Sequence, residues 1–516
     1  MKRRQARSTA VPAVIENTSE AQFLVRLVIP PPEHDAVSAA LRDEEAHAQR
    51  RQSRGFDTPD RRLAAHGVFL SLYKRGREWV QVAVATTPDS TRLLVHEVDL
   101  GIRKSGVVPV VLPHLHEGTE AGAALSAAMG HAPVDDAGEE SALVCVFSID
   151  LTRLMRNVTQ DGSVMEAAQT TGSITTDTAS TSFQELEFRL ISGPMAPLFA
   201  LARQWSTRHG LSISAVSNGE RGARLAAGHP EGFPTTAVAP EAPFMDGANF
   251  LHATLDSCLT QVLANASVVV DGTQDRHVIE QLRDGLERLR TALARLKSMA
   301  SDLDDAWEPV LKRTFHELAS HYCATALRAP LMQEMRAAGL SYALTSSHPR
   351  ESRSPSAIVR DPEFQATLMA LLAYRHALAP PFRPGHGSLK QMRIRFAAEL
   401  ARRSDRVEGD ASNLRSTPRR RRASRHLAFL YRLATFVGPL YEARHVERFL
   451  VRCRIAQDAF VTDSDHRLGL EALEDDGDGS TDVKLARRWL ESRLVEDRKQ
   501  CEASLQRVGK ASPFWR

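Results

Sequence analysis

The sequence predicts an α+β chain, with an antiparallel sheet or barrel in its first half and a wholly helical second half. Two observations carry that reading. Up to about residue 226 the apolar residues fall in short runs broken by turn residues, as in strands. From about residue 248 they recur at spacings of three and four, as on one face of a helix. Between the two regimes, residues 227–248 are rich in Gly, Pro and Ala without periodicity, which marks a linker between domains. The 516 residues also exceed what one core usually organises.

Taken in order, residues 1–19 read as a disordered tail. Residues 22–29 form a short apolar-rich run stopped by Pro30-Pro31-Pro32, and residues 33–49 read as a helix. Residues 66–74 and 78–86 are two strands around the turn Lys74-Arg75-Gly76-Arg77. Further strands are expected at 92–100, 142–153, 163–169, 183–191 and 211–217, with a helix at 194–208. In the second half Ile279, Leu282, Leu286, Leu289, Leu293 and Leu296 make one apolar stripe. Similar patterns predict helices within 304–328, 364–378, 388–403, 424–440 and 482–507. Residues 346–362 and 404–423 read as loops, the second ending in the basic run Pro418-Arg419-Arg420-Arg421-Arg422.

The bulk composition narrows the function classes. A net charge of +3 means that any anion-binding surface must arise from local clustering. The cysteines Cys145, Cys258, Cys323, Cys453 and Cys501 form no CxxC spacing, which fits reduced thiols and a cytoplasmic location. The basic start Met1 to Arg7 is followed by no apolar run, so it is not an ordinary secretory signal. No stretch approaches the ~18 apolar residues of a membrane span, so no membrane partner is expected. The run Arg419 to Arg422 has no aromatic platform or nucleic-acid motif beside it, which ranks nucleic acid last among partners.

Several segments of the first half resemble the CYTH, or triphosphate-tunnel, family. Gln184-Glu185-Leu186-Glu187-Phe188-Arg189-Leu190-Ile191-Ser192-Gly193 is similar to its late acidic strand, and Leu198 to Ala202 to the helix after it. Ser217-Asn218-Gly219-Glu220-Arg221-Gly222 resembles its SKxxRG segment. Phe56-Asp57-Thr58-Pro59-Asp60, with Leu63 and Gly67, resembles its YYDTpd stretch. The resemblance covers about residues 20–226 and implies an antiparallel barrel around a polar tunnel, in a bacterial protein. Active members hold a triphosphate with basic side chains and a divalent metal with carboxylates. Carried over residue by residue, it gives Glu97, Asp99, Glu166, Glu185 and Glu187 as metal ligands, for Mg²⁺ or Mn²⁺ if the tunnel is active. It gives Arg26, Arg153, Arg189 and Arg221 as triphosphate ligands. Gln22, Leu24, Ser71, Tyr73, Val84 and Asn218 stand where the family has charged ligands. No catalytic residue is assigned, and the tunnel is expected to hold more carboxylates than cations and to be weakly active or inactive. The alternative is a metal-dependent hydrolase splitting inorganic triphosphate to diphosphate and phosphate.

The second half, residues 249–516, resembles the CHAD family of helical domains. Glu280 to Arg290 is similar to its HxLRVxxRRLR helix, and Leu389-Lys390-Gln391-Met392-Arg393-Ile394-Arg395 to the LHxLRIxxK of its second repeat. Leu427 to Tyr441 and the closing Pro513-Phe514-Trp515-Arg516 continue the likeness. The resemblance implies a helical bundle of two divergent repeats whose basic faces bind inorganic polyphosphate or triphosphate. Arg283, Arg288, Arg290 and Lys297 would form one such face, with Lys390, Arg393 and Arg395 on the second repeat and Arg402 and Arg403 beside them.

Overall fold

The computed structural model describes residues 19–516 apart from 44, 87–90, 104–106, 131–142, 230–231, 233, 238–246, 297–303, 326–327, 341–352, 378–388 and 476–480. The expected tail 1–19 therefore lies outside the described residues except for Ser19. The chain divides into two compact units, residues 1–233 and 234–516.

The first unit is a closed barrel. Its strands are β1 (Ser19–Val28), β2 (His47–Asp57), β3 (Val68–Arg75), β4 (Glu78–Thr86), β5 (Arg92–Ile102), β6 (Val144–Gln160), β7 (Ser163–Thr175) and β8 (Ser180–Ser192). They run in the order β5-β4-β3-β2-β6-β7-β8-β1, and β1 closes the ring on β5 from Ser19↔His96 to Phe23↔Arg92. Every pairing is antiparallel. Closure removes the open strand edges of a flat sheet. A two-residue strand β9 (Ser212–Ile213) adds to β1.

Strand alternation sorts the side chains into lumen and outer wall. On β8, Leu186 and Phe188 are fully buried on the outside, and Phe188 packs edge-on against Trp205 of helix α4 (Ala196–His209). Glu185, Glu187 and Arg189 consequently face the lumen. The pairing Arg26↔Glu187 and Tyr73↔Ser53 carries the same face around to β1, β3 and β2.

Beyond a helix α3 (Glu120–Met129) where no element was expected and an expected strand 211–217 that shrinks to Ser212–Ile213, two parts of this unit differ from the sequence reading. Residues 33–49 are not one helix: helix α1 (His34–Leu41) stops early and β2 begins at His47. The strand was illegible because His47-Ala48-Gln49-Arg50-Arg51-Gln52-Ser53-Arg54 is polar on both faces. Its outer residues meet solvent and its inner ones line a polar lumen, so no apolar alternation exists to read. The second difference is at Ser217 to Gly222, where a helix α5 (Asn218–Ala226) starts, capped by the Ser217 hydroxyl accepting from the Glu220 N–H. This helix closes one mouth of the barrel. A Cβ at Gly219 would come within 2.8 Å of the Phe69 ring, and one at Gly222 within 2.6 Å of Phe147, so only glycine allows the approach. Leu225 joins Phe147, Ile149, Ile174 and Phe183 in a small core beneath it. The segment Phe56 to Asp60 serves the fold: the buried Asp57 carboxylate accepts from the N–H groups of Thr58, Leu63 and Ala64, which starts the short helix α2 (Arg62–Ala65).

A histidine pair ties a 3₁₀ turn, Pro113–His116, to the outer wall. Gln81 Oε1 accepts from the Leu112 N–H (2.9 Å), so Gln81 Nε2 donates to the Leu112 carbonyl (2.8 Å) and to His116 Nε2 (2.9 Å). The network therefore assigns the His116 proton to Nδ1, which donates to His96 Nδ1 at 2.8 Å. Both rings are fully buried and neutral. A further proton on either ring would set two N–H groups against each other. Burial, with His96 beside it, pushes His116 down to about 4. Since the folded value lies below the unfolded one, this contribution to stability is complete above pH ~6.5 and is lost as pH falls toward ~4, at about 1.4 kcal/mol per pH unit per proton. Denaturant titrations at pH 7 and pH 4.5 are expected to show a larger loss in the native chain than in His116→Gln. Equal losses would rule the pair out as the acid-sensitive element.

The second unit is helical, with α6 (Gly247–Val270), α7 (Arg276–Leu296), α8 (Trp307–Thr325), α9 (Arg328–Ala337), α10 (Pro355–Val359), α11 (Pro362–Ala377), α12 (Leu389–Ala411), α13 (Thr417–Val437), α14 (Ala443–Asp475) and α15 (Thr481–Gly509). The stripe on α7 is buried as expected, with Leu282, Leu286 and Leu289 at 0% exposure. α6 contains the one described stretch, Phe250–Val270, long and apolar enough to cross a membrane, and 72% of it is buried within the protein.

Residues 404–423 are not a loop. α12 runs on to Ala411, and α13 starts at Thr417 with Pro418 in its first turn, where a missing N–H costs nothing. The basic run is helical, and three of its four arginines reach acids: Arg420 pairs with the buried Asp463 (3.0 Å), Arg421 with Glu471 (3.7 Å) and Arg422 with Asp410 (3.9 Å). Within the expected loop 346–362, α10 forms and α11 begins at Pro362, while 346–352 lie outside the described residues. The 33-residue α14 escaped notice because polar groups interrupt its apolar face. Asp463, His466 and Arg467 are all buried there, with His466 bridging Asp497 (2.7 Å) and Glu334 (3.1 Å).

Candidate functional site

The barrel lumen gathers the residues that the CYTH resemblance singled out. Its inner face carries the arginines Arg26, Arg51, Arg75, Arg153 and Arg189 and the acids Glu97, Asp99, Glu166, Glu185 and Glu187. These form a ladder of alternating charge. Glu185 lies 3.5 Å from Arg26, Arg26 3.1 Å from Glu187, and Glu187 3.5 Å from Arg153. Arg153 lies 3.5 Å from Glu166, which accepts from Arg189 at 3.1 Å. Across the lumen, Glu97 accepts from the Tyr73 hydroxyl (3.0 Å), and Arg75 reaches Glu97 (3.8 Å) and Asp99 (3.5 Å). Exposure falls along the ladder from Arg189 (35%) through Arg153 (17%) to Arg26 (6%), so the lumen is open at the Arg189 end and closed at the α5 end.

The lumen also holds cations that the sequence reading missed. β2 and the end of β3 contribute Arg51 and Arg75, while Glu78, paired with Arg75, adds an acid on the same face. The missed signal was the two-residue spacing Gln49, Arg51, Ser53 once 47–57 is taken as a strand. Burial alone would raise Glu187, but Arg26, Arg153 and Arg189 together hold its carboxyl below the ordinary range. Arg221 sits on α5 rather than on a strand, with a guanidinium contact to the Ser214 hydroxyl (3.4 Å). Asn218, in the lysine position of the family segment, donates to Glu185 at 2.6 Å.

A divalent ion needs several oxygens converging on one point. Among the described residues no three His, Cys, Asp or Glu side chains gather in that way. Each of Glu97, Asp99, Glu166, Glu185 and Glu187 instead faces an arginine. The lumen as arranged presents no donor set for Mg²⁺ or Mn²⁺.

In the helical unit, α7, α12 and α13 build a second charged site. Glu399 on α12 accepts from Arg402 (2.5 Å) and Arg403 (2.9 Å), and Arg295 of α7 lies 3.8 Å away. Phe429 of α13 is stacked by both Arg295 (4.6 Å) and Arg403 (4.2 Å). Burial, then Arg403, Arg402 and Arg406, push the Arg295 guanidinium below its ordinary value against the pull of Glu399. Arg395, Glu399, Arg402, Arg403 and Arg406 share one face of α12 by helical spacing.

Comparison with known proteins separates the two units. A family model of the CHAD domain matches residues 253–474. This stretch is a CHAD domain. No CYTH family model matches the first unit, although its closed eight-stranded barrel resembles a CYTH tunnel. No curated protein matches the chain. Among solved structures, the CHAD domain from the plant Ricinus communis is similar at 19% identity, covering 53% of this chain and 96% of its own, with a TM-score of 0.40. A putative adenylyl cyclase from Hippeastrum, described as having a dominant triphosphatase activity, is similar at 17% identity over 40% of this chain and 96% of its own, TM-score 0.28. A putative adenylate cyclase from Bacillus halodurans is similar at 11% identity over 39% of this chain and 95% of its own, TM-score 0.26.

Within the CHAD domain the expected basic face on α7 is dispersed. Arg288 is 2% exposed and donates to Gln261 (2.5 Å) and Ser257 (2.9 Å), so it belongs to the packing of α7 on α6. Arg290 is bound by Glu287 and Glu308, both at 2.6 Å, and Arg283 lies against the Phe315 ring. Lys297 lies outside the described residues. On α12, Lys390 and Arg395 are exposed, and Arg393 stacks on Tyr441 at 4.9 Å. Arg295 and Arg406 were missed. Only the approach of α7 to α12 and α13 joins Arg295 to the α12 arginines, and no spacing in the sequence reports it.

Proposed function

We propose that this protein binds inorganic polyphosphate through its CHAD domain, and that its barrel is a degenerate triphosphate tunnel. The observation that carries the reading is the cluster of Arg295, Arg402, Arg403 and Arg406 around Glu399. Arginines that hold down one another's charge mark a positive field, and a linear polyanion relieves it. Guanidinium groups also offer bidentate contacts to phosphate oxygens. The lumen supports the second half of the proposal, since Arg26, Arg75, Arg153 and Arg189 are each held by a carboxylate.

Titration of the full chain with long-chain polyphosphate is the test. Replacing Arg295, Arg402 and Arg406 together with alanine removes three contacts of about 0.5–1 kcal/mol each, so affinity is expected to fall about tenfold to a hundredfold. Arg283→Ala/Arg290→Ala is expected to leave it nearly unchanged. Binding should also weaken with salt, because exposed charges are screened over ~8 Å at physiological ionic strength. Unchanged affinity in the triple variant would remove the cluster from the binding surface.

A further inference from the structure

We infer that the barrel lumen binds a hydrophobic carboxylate, one negative charge carried on an apolar body, and that Arg51 anchors it. Four of the five luminal arginines, Arg26, Arg75, Arg153 and Arg189, lie within 4.0 Å of a carboxylate. Among the described residues Arg51 makes no ion pair, and its Nε is buried without a hydrogen-bond acceptor. Its guanidinium lies 4.2 Å over the Tyr73 ring, and the Tyr73 hydroxyl donates to Glu97 and so fixes that ring. Stacking occupies the face of a guanidinium and leaves its in-plane N–H donors available to an acceptor. Desolvation, with Arg153 nearby, holds Arg51 below its ordinary value despite Tyr73 and the more distant Glu97 and Glu166.

Among the described residues Arg51 is the named luminal arginine with no carboxylate at contact distance, and a single carboxylate on a ligand meets that requirement locally. A triphosphate, with ~4 charges to satisfy by charge-assisted contacts, would need arginines now held by Glu166, Glu185 and Glu187.

The wall beside Arg51 sets the body of the ligand. Tyr73 belongs to an apolar cluster with Leu24, Val80, Val82, Leu93 and Val95, against which the half-buried Val84 packs. By strand alternation all of these point inward from β1, β3, β4 and β5, opposite the charged ladder on β6, β7 and β8. The lumen is thus two-sided, and Arg51 and Tyr73 stand at the seam between hydrocarbon and charge. An apolar chain or ring along the valine wall with its carboxylate on Arg51 matches both sides.

The test uses the full chain and calorimetric titration with decanoate, decanol and inorganic triphosphate, the first two below their aggregation limits. Decanoate is expected to bind, decanol to bind at least about tenfold more weakly, and triphosphate not to displace decanoate. Arg51→Met is expected to weaken decanoate about tenfold or more, the loss of one charge-assisted contact, and Arg51→Lys to retain part of the affinity. Near-ultraviolet circular dichroism of each variant shows whether the barrel has kept its packing, and Tyr73→Leu, which removes the platform but not the charge, gives an independent reading of the same site. Displacement of decanoate by triphosphate would overturn the inference. So would decanoate binding that is unaffected by both the Arg51→Met and Tyr73→Leu changes.

Discussion

Replacing Arg26 with leucine is expected to destabilise the barrel unit by about 3–5 kcal/mol, the usual result of leaving a buried charge unpaired. Arg26 is 6% exposed and stands between Glu185 and Glu187 at 3.5 and 3.1 Å. Burial works against its charge, and the two carboxylates more than offset that. Without it, Glu187 retains Arg153, but Glu185 is left with the neutral Asn218 amide. Adding Glu185→Gln to Arg26→Leu is expected to restore much of the loss, because both charges are then gone from a site 4% exposed. The barrel transition in urea, followed by the near-ultraviolet signal of its own aromatic residues, is the measurement, since a chain of two units need not unfold in one step. A loss below about 1 kcal/mol, in the range of an exposed pair, would mean that the ladder is solvated and contributes little.

Phosphate release from inorganic triphosphate, with Mg²⁺ or Mn²⁺ present, is expected to be no faster for the native chain than for Glu187→Gln. Gln22, Leu24, Ser71, Tyr73, Val84 and Asn218 occupy the positions where the resemblance requires charged ligands, and the strand positions among them face the lumen. Each charge-assisted contact missing from a desolvated phosphate removes on the order of 1.5–3 kcal/mol. Two such losses, if felt in the transition state, slow the reaction by about 10²–10⁴. Arg26, Arg75, Arg153 and Arg189 are held by carboxylates, so they are not available as a preformed clamp. Robust metal-dependent turnover that Glu185→Gln or Glu187→Gln abolishes would show that the ladder rearranges around substrate and would overturn the degenerate reading.

These two expectations rest on different layers of information. The strand β8 was legible in the sequence because one of its faces is greasy and the other acidic: Leu186 and Phe188 alternate with Glu185, Glu187 and Arg189. The leucine stripe of α7 was legible for the same reason at the helical period. Where both faces of an element are polar, as on β2, or where buried polar groups break the stripe, as on α14, the pattern vanishes and so did the element. The basic run at Arg419 to Arg422 looked like a loop because its acidic partners, Asp410, Asp463 and Glu471, come from other turns and other helices.

The sequence by itself determined the two-unit division of periods, the classes of fold, and the luminal face of β8, because alternation and helical spacing are local properties of the chain. Only the tertiary structure decided what those side chains do. Charge pairing depends on distances of 3–4 Å between residues far apart in sequence, and it falls off too steeply to be inferred from register alone. It set the acids of β7 and β8 against Arg26, Arg153 and Arg189 in a ladder, placed Arg288 in a helix interface, and gathered Arg295 with Arg402, Arg403 and Arg406. It also left Arg51 beside Tyr73 without an ion-pair partner among the described residues, because the acids that the chain could have offered it are engaged by other arginines.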